Sequence, residues 1–231
     1  MRILFVCTLI LLFPVHSFSE QLIKVGILQS IEVYRPAKLQ EIKEALISTG
    51  LPFEFTSFPN ERALRLAIGG FSAMDIYRQP STMKNAADMI RINTPVDYME
   101  GWLFTHPDTP SLCDIHTFKE QTVVGVLGAH WYEDFIYPRF KDHKVVLKFA
   151  QAFKLVANRF VALSFAGRDG IEKEMNETGL AVKICGTKPF QTFKIYTYVH
   201  KDFAWIIPLV EQAYARHFPS TGRLPSHATH E

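Results

Sequence analysis

Along the chain, segments whose apolar residues follow the pattern of β-strands alternate with segments whose apolar residues are spaced as on an α-helix. Residues 22–28 and 53–58 are apolar or alternating runs rich in β-branched and aromatic side chains, which predicts strands. Between them, residues 37–49 carry apolar side chains at helical spacing and precede Gly50, which predicts an amphipathic helix with an inward face of Leu39, Ile42, Ala45 and Leu46. Residues 29–36, which include Tyr34 and Arg35, are expected to form a loop at the mouth of a cleft.

The stretch from Phe58 to Arg78 joins a helix, a chain reversal and a polar strand end. Asn60 is expected to cap a helix that Gly69 and Gly70 end, with an apolar face of Ala63, Leu64, Ala67 and Ile68. Residues 74–77 then form a short strand that ends on Arg78. Because open α/β sheets bind ligands at the carboxyl ends of their strands, Arg78 is the first candidate ligand-binding residue.

The second half of the chain repeats the alternation of strands and helices. Strands are predicted at 122–127, 145–149, 160–164, 182–184 and 194–200, and helices at 129–135, 150–158, 170–177 and 203–217. Such alternation favours parallel strands with helices on both faces. Turn-forming residues at 106–110 and 186–189 are predicted crossings between two lobes. We therefore expect an α/β fold of two lobes joined by two hinge crossings, with residues 20–102 plus 187–231 in lobe 1 and 103–186 in lobe 2.

The first 19 residues have the features of a secretory signal. Arg2 precedes an apolar run over residues 3–15, and Ser17 and Ser19 supply the small residues of a cleavage site. A membrane anchor is the rival interpretation, but a run of about 13 residues is shorter than the roughly 20 that a spanning helix needs. We expect cleavage after Ser19 and an exported, soluble protein.

Charge excludes one class of partner. Lys and Arg number 25 and Asp and Glu number 23, and no run of basic residues is longer than a pair. Nucleic-acid binding would need a clustered basic face, so none is expected. We also expect a monomer. Two cysteines, Cys113 and Cys185, remain after cleavage, and an even number of thiols in an oxidising compartment can pair in a disulfide. Two separate buried thiols are the alternative.

Several short motifs resemble the first lobe of periplasmic solute-binding proteins, the extracellular solute-binding family 3 with the type II periplasmic-binding fold. The resemblance is carried by Pro59, Arg62-Ala63-Leu64, Gly70, Asp75-Ile76-Tyr77-Arg78, Ile90-Arg91-Ile92 and Thr94-Pro95-Val96. It implies a periplasmic protein that binds a small solute between two lobes. The chain departs from the family pattern where Ala73 and Val161 replace acidic residues, where Ala129 replaces a hydroxyl residue, and where Ser81 to Lys84 lack the Thr-x-x-Arg of amino-acid binders.

Individual residues are also assigned roles, that of Arg78 from the resemblance and the others from their own chemistry. Arg78 would hold a ligand carboxylate in a bidentate fork. Its replacement would weaken binding but change folding little, because we expect a cleft arginine to have no buried partner. Asp75 would orient its surroundings. Gly128 and His130 open a predicted helix whose amino end attracts anions, and Trp131 or Tyr34 would stack on an apolar part of the ligand. Arg62 either reaches the cleft or pairs with Glu61 or Asp75.

The expected function is the binding of an anionic or zwitterionic solute, amino-acid-like or an organic acid, and its delivery to an ABC importer. Sensing of that solute for a membrane signalling partner is the alternative. No catalytic motif, cofactor motif or metal-ligand set is recognisable in the sequence, and we expect no enzymatic activity. A dehydratase-like enzyme on the same fold is a minor alternative, which would use His130, Glu133 and Asp75.

Overall fold

The computed structural model describes residues 22–109, 116 and 118–219. The described strands are β1 (Ile23–Leu28), β2 (Phe53–Phe58), β3 (Met74–Arg78), β4 (Met89–Arg91), β5 (Asp97–Thr105), β6 (Thr122–Val126), β7 (Asp142–Val146), β8 (Leu163–Gly167), β9 (Lys183–Ile184) and β10 (Gln191–His200). The described α-helices are α1 (Gln29–Tyr34), α2 (Pro36–Ile47), α3 (Asn60–Ile68), α4 (Phe149–Ala157), α5 (Arg168–Thr178) and α6 (Ile207–His217).

Two groups of parallel strands are joined through two long antiparallel strands. The strand order is β2-β1-β3-β10-β5-β8-β6-β7. Strand β1 pairs in parallel with β2 and β3, and β6 pairs in parallel with β7 and β8. The amino-terminal half of β10 pairs with β5 and its carboxyl-terminal half with β3. Hydrogen bonding is thus continuous from β2 to β7 through β10 and β5.

The apolar side chains of the strands lie in two main buried clusters. The first includes Ile23, Val25 and Ile76 of β1 and β3 together with the predicted inward face of α2, Leu39, Ile42, Ala45 and Leu46, which is buried. In lobe 2, Phe104, Val124 and Phe153 belong to a second cluster between β5, β6 and α4. The helical spacing read from the sequence therefore identified the core face of α2 correctly.

Three local predictions for lobe 1 are wrong. Residues 29–34 form α1 and not a loop. Asn60 does not cap α3, because it is the first residue of that helix and Pro59 occupies the N-cap position; its side-chain oxygen accepts a hydrogen bond from Ser30 Oγ at 3.0 Å. Ile68 is 38% exposed and so lies outside the buried face of α3.

Lobe 2 also differs from the sequence prediction. Residues 129–135 do not form an α-helix; a π-helical turn, Tyr132–Ile136, runs into a 3₁₀ turn, Tyr137–Arg139, that contains Pro138. Strands β7 and β8 each lie about three residues away from their predicted positions. The apolar residues that suggested a strand start at residue 160 include Phe160, which is 72% exposed.

The cysteine and signal-sequence predictions fall partly outside the described residues. Cys185 is buried and takes part in a disulfide bond. Its predicted partner, Cys113, lies outside the described residues, as do residues 1–19, so the pairing and the signal sequence stay predictions. Among the residues that the structure describes, no helix is long and apolar enough to cross a membrane.

Candidate ligand-binding cleft

A cavity of about 200 Å³ lies between the lobes, where β1, β3, β6 and β8 all end. Its lining comes from both lobes and from the two strands that join them. The lining residues are Leu28, Ser30, Ile31, Tyr34, Arg35, Asn60, Tyr77, Arg78, Gln79, Thr82, Met99, Val126, Gly128, Ala129, His130, Trp131, Tyr132, Phe149, Phe165, Ala166, Gly167, Asp169, Gly170 and Ile195. The position agrees with the rule that α/β folds bind ligands at the carboxyl edge of their strands.

Arg78 lines this cavity but is not a free cation. It is only 3% exposed, its Nε donates to Asp75 Oδ2 at 2.8 Å, and its Nη2 donates to the Asn60 carbonyl at 2.6 Å. Asp75 is completely buried, and burial raises the pKa of its carboxyl although the Arg78 charge opposes that shift. The sequence-based expectation that Arg78 has no buried partner is therefore wrong. Asp75 does not line the cavity, but it fixes the direction of the guanidinium.

The Asp75–Arg78 contact depends on an unusual backbone. Residues three apart on a regular strand point to opposite faces of the sheet. Tyr77 lies between them with φ of 73°, in the left-handed region, and the pairing register with β10 shifts between Tyr196 and Tyr198. This break in the alternation lets Arg78 turn back to Asp75. A tyrosine in this conformation carries strain of order 1–3 kcal/mol, and such strain is often found at functional sites.

Arg35 and Tyr77 form a polar network beside the cavity. Arg35 Nη1 and the Tyr77 hydroxyl both donate to Asp97 Oδ2, the latter at 2.6 Å, and Arg35 Nη1 is 3.2 Å from the Tyr77 hydroxyl. Arg35 Nη2 crosses the cleft to Asp169 Oδ2 at 2.9 Å. Burial, followed by the Asp97 charge, holds the pKa of Tyr77 well above its usual value, so the phenol remains a donor.

Direct contacts join the lobes on both sides of the cavity. Next to Arg35, the Tyr34 hydroxyl donates to Glu174 Oε1 at 3.0 Å, and its ring meets Phe149 edge to face at 5.8 Å. On the other side, Lys84 Nζ lies 2.6 Å from Asp134 Oδ1, and His130 Nε2 lies 3.5 Å from Glu61 Oε2. The lobes therefore face each other in a closed arrangement.

Lobe 2 contributes a mainly apolar wall. Trp131 packs against Tyr132 at a centroid distance of 4.4 Å and edge-on to Phe165 at 6.3 Å. Gly128 has φ of 77°, and a side chain there would contact Asn60 and Glu61 across the cleft. The turn that follows is too short to supply the helix amino end that the sequence had suggested for anion binding. This side of the cavity is therefore suited to packing against an apolar group.

The predicted site residues divide into two sets. Tyr34, Arg78, Gly128, His130 and Trp131 all line the cavity, whereas Asp75 and Arg62 do not. Arg62 is exposed and lies over the Phe58 ring at 5.4 Å. Sequence reasoning assigned no ligand contact to three further lining residues: it placed Arg35 only in a loop at the cleft mouth, expected Asn60 to cap a helix, and did not single out Gln79. Nothing in the local sequence distinguishes them, because their positions depend on contacts with distant elements.

No protein-family model and no curated protein matches this sequence. Solved structures match it over most of the chain at low identity. A histidine kinase sensor domain with similarity to periplasmic binding proteins has a TM-score of 0.74 at 13% identity, over 88% of this chain and 93% of that one. The GluR0 ligand-binding core in complex with L-glutamate has a TM-score of 0.73 at 12% identity, over 87% and 94%.

A third structure is an amino acid ABC transporter substrate-binding protein, AbpA from Streptococcus pneumoniae, bound to L-arginine. Its TM-score is 0.68 at 10% identity, over 86% of this chain and 90% of that one. These similarities show that the chain has the two-lobed type II periplasmic-binding-protein fold, which confirms the fold predicted from the sequence.

Proposed function

We propose that this protein binds one small solute in the cavity between its lobes and that ligand contacts favour the closed arrangement. The observation that carries the proposal is the cavity itself, which both lobes line with a polar end around Arg78 and an apolar wall around Trp131. Closure of this kind is a population shift, driven by ligand contacts that form only when the lobes meet.

The proposed solute carries a carboxylate or a similar anionic group, as an organic acid or a zwitterion does. A guanidinium has five N–H donors. Among the described residues, the partners of Arg78 are Asp75 and the Asn60 carbonyl, which accept from Nε and Nη2. The Nη1 group is left for a ligand oxygen. Because Asp75 already neutralises the charge of Arg78, we expect Arg78 to hold the ligand mainly through directed hydrogen bonds and not through a strong charge attraction.

We propose that the protein acts in the periplasm and presents its closed, liganded form to a membrane partner. An ABC importer is the first candidate, in line with the AbpA likeness. A sensor kinase or another membrane signalling protein is the second, and the likeness to a histidine kinase sensor domain favours it. Growth on the identified solute, compared between a deletion strain and its parent, separates uptake from sensing.

Catalysis is not part of this proposal. A dehydratase-like reaction would need an acid and a base that meet at the substrate. His130 lines the cavity next to Glu133, at 3.2 Å, but Asp75 is fully buried behind Arg78. The described arrangement therefore favours binding without chemistry.

A thermal-shift screen of amino acids, organic acids and small peptides tests the proposal. We expect at least one compound to raise the melting temperature in a saturable way, since a ligand that binds only the folded state stabilises it by mass action. The binding proposal fails if no compound in the screen shifts the melting temperature at millimolar concentration.

A further inference from the structure

We infer that His130 is a proton-controlled latch between the lobes: its protonated imidazole holds the closed arrangement, and its neutral imidazole releases it. The inference rests on the proposed closure of the lobes and assigns a regulation to it, since closure should strengthen as the pH falls from 8 to 5.5. It follows from the position of His130, from the two carboxylates beside its ring and from the charges of the groups around it.

His130 lies in lobe 2 at a point where the lobes meet. It follows Gly128, where an added Cβ would lie 3.4 Å from the backbone nitrogen of Glu61 in lobe 1. The imidazole lines the cavity, and its Nε2 lies 3.5 Å from Glu61 Oε2 on α3. Its Nδ1 lies 3.2 Å from Glu133 Oε2. One contact of the ring therefore crosses the cleft, whereas the other stays within lobe 2.

Both ring nitrogens of His130 lie beside a carboxylate, which a neutral imidazole cannot satisfy. A neutral ring has a single N–H, so a proton on Nδ1 leaves only a lone pair on Nε2. That Nε2 atom is buried and has no hydrogen-bond partner among the described residues. A protonated ring has an N–H on each nitrogen and a positive charge, so it attracts Glu61 and Glu133 together. Opening the lobes removes Glu61 from the ring, and this separation costs an ion pair only when the ring is charged.

The second contact on this side of the cleft does not share the titration of an imidazole. Histidine ordinarily changes its charge between pH 5 and 8. Lys84 Nζ of lobe 1 lies 2.6 Å from Asp134 Oδ1 of lobe 2, and lysine and aspartate side chains ordinarily keep their charges over this range. Among the described residues that line the cavity, His130 is the single histidine. A change of closure between pH 5.5 and 8 is therefore assigned to His130.

The other ionisable groups around the cavity do not change the contact between the lobes in this range. Arg35 and Asp169 pair with each other across the cleft, and both ordinarily stay charged. Burial raises the pKa values of Tyr34, Tyr77 and Tyr132, so these phenols keep their protons. Burial also raises the pKa of Asp75, behind Arg78, but this ion pair lies within lobe 1. Titration of Asp75 therefore affects the stability of lobe 1 and not a bridge to lobe 2.

Small-angle X-ray scattering of the ligand-free protein at pH 5.5 and pH 8 tests the latch. The scattering profile gives the ratio of closed to open molecules. We expect this ratio to be about two- to fivefold higher at pH 5.5, the scale of one partly exposed ion pair. The same profile at both pH values, or more open molecules at pH 5.5, would overturn the inference.

Four variants connect the response to the contact across the cleft. His130→Gln removes the titrating ring, and Glu61→Gln removes its partner in lobe 1, so each should abolish the pH response. His130→Lys carries a fixed positive charge and should keep the closed population high at both pH values. His217→Gln removes a histidine at an exposed position of α6 and should respond as the wild type does. Melting curves at pH 7 confirm that each variant is folded.

The outcomes separate the latch from the binding function on which it rests. A pH response that persists in His130→Gln or in Glu61→Gln would overturn the latch, and these two changes lie on different lobes, so one remains informative if the other does not fold. The scattering measurement uses no solute, so its result does not depend on which compound binds. A thermal-shift screen without a hit would instead overturn solute binding and leave the pH response of the lobes to be decided by scattering.

Discussion

Replacing Arg78 by Ala should destabilise the ligand-free protein, because the change leaves a buried carboxylate without its cation. Asp75 is 0% exposed, and its Oδ1 has no hydrogen-bond partner among the described residues, so the ion pair with Arg78 Nε is its main compensation. Removing one member of a buried pair costs about 3–5 kcal/mol of unfolding free energy. The sequence alone predicts little effect on folding, so this experiment distinguishes the two accounts.

Protonation of Asp75 limits that loss and makes it depend on pH. Protonating a carboxyl with an unfolded-state pKa near 3.9 costs about 4 kcal/mol at pH 7 and about 1.5 kcal/mol at pH 5. Burial already raises the pKa of Asp75 in the folded state, and losing Arg78 raises it further. A raised folded-state pKa means that stability is greatest below the unfolded-state pKa and falls as pH rises through the folded-state value. The variant should therefore approach the wild type as the pH is lowered from 7 to 5.

Urea denaturation followed by circular dichroism at pH 5, 6 and 7 measures this effect. Arg65→Ala, at an exposed position of α3, is the matched control and should cost less than about 0.5 kcal/mol. The double change Asp75→Leu and Arg78→Met replaces the pair by apolar side chains and should recover most of the lost stability. A loss below about 1 kcal/mol at pH 7 for Arg78→Ala, or an equal loss at pH 5 and pH 7, would refute the reasoning.

Three other predictions follow from single contacts. Gly125→Ala should lower the unfolding free energy, measured in a denaturation curve, by at least about 1–3 kcal/mol. The new Cβ would overlap the Tyr137 hydroxyl and lie 2.7 Å from Tyr132 Cδ1. Gly167→Ala is the control and should cost little, because the nearest atom to its new Cβ is 4.0 Å away. Asp169→Asn removes the salt bridge to Arg35 between the lobes and should raise the open fraction of the ligand-free protein up to about fivefold. Small-angle X-ray scattering measures this fraction, and an unchanged scattering profile would mean that the bridge does not hold the lobes together. Reduction of the Cys185 disulfide should lower the unfolding free energy by about 2–5 kcal/mol, and peptide mapping without reductant should identify Cys113 as the partner; another partner, or no loss, would contradict this.

The parts of the fold that depend on local spacing could be predicted from the sequence. The inward face of α2 and the end of β3 at Arg78 were both correct, because apolar periodicity and helix-ending glycines act over a few residues. The strand shifts in lobe 2 arose because exposed apolar residues such as Phe160 resemble strand residues in sequence. Periodicity cannot separate an exposed aromatic residue from a buried one.

The arrangement of the candidate site was predicted only in part. The sequence identified five residues that line the cavity, but it did not show that Asp75 pairs with Arg78. That contact needs the positive φ of Tyr77, which no β-propensity would suggest for a tyrosine. The bridges from Arg35 to Asp97 and Asp169 join residues 62 and 134 positions apart, so they follow from the packing of the lobes and not from any local pattern.

The most direct test of solute binding between the lobes uses Trp131 as a reporter inside the cavity. The chain has three tryptophans, and Trp102→Phe with Trp205→Phe leaves Trp131 as the single fluorophore. Titration of this variant with a compound from the thermal-shift screen should give a saturable change in emission with one site per chain. The account predicts the same dissociation constant from the fluorescence titration and from calorimetry. A compound that binds in calorimetry but leaves the Trp131 emission unchanged at saturation would contradict binding in this cleft.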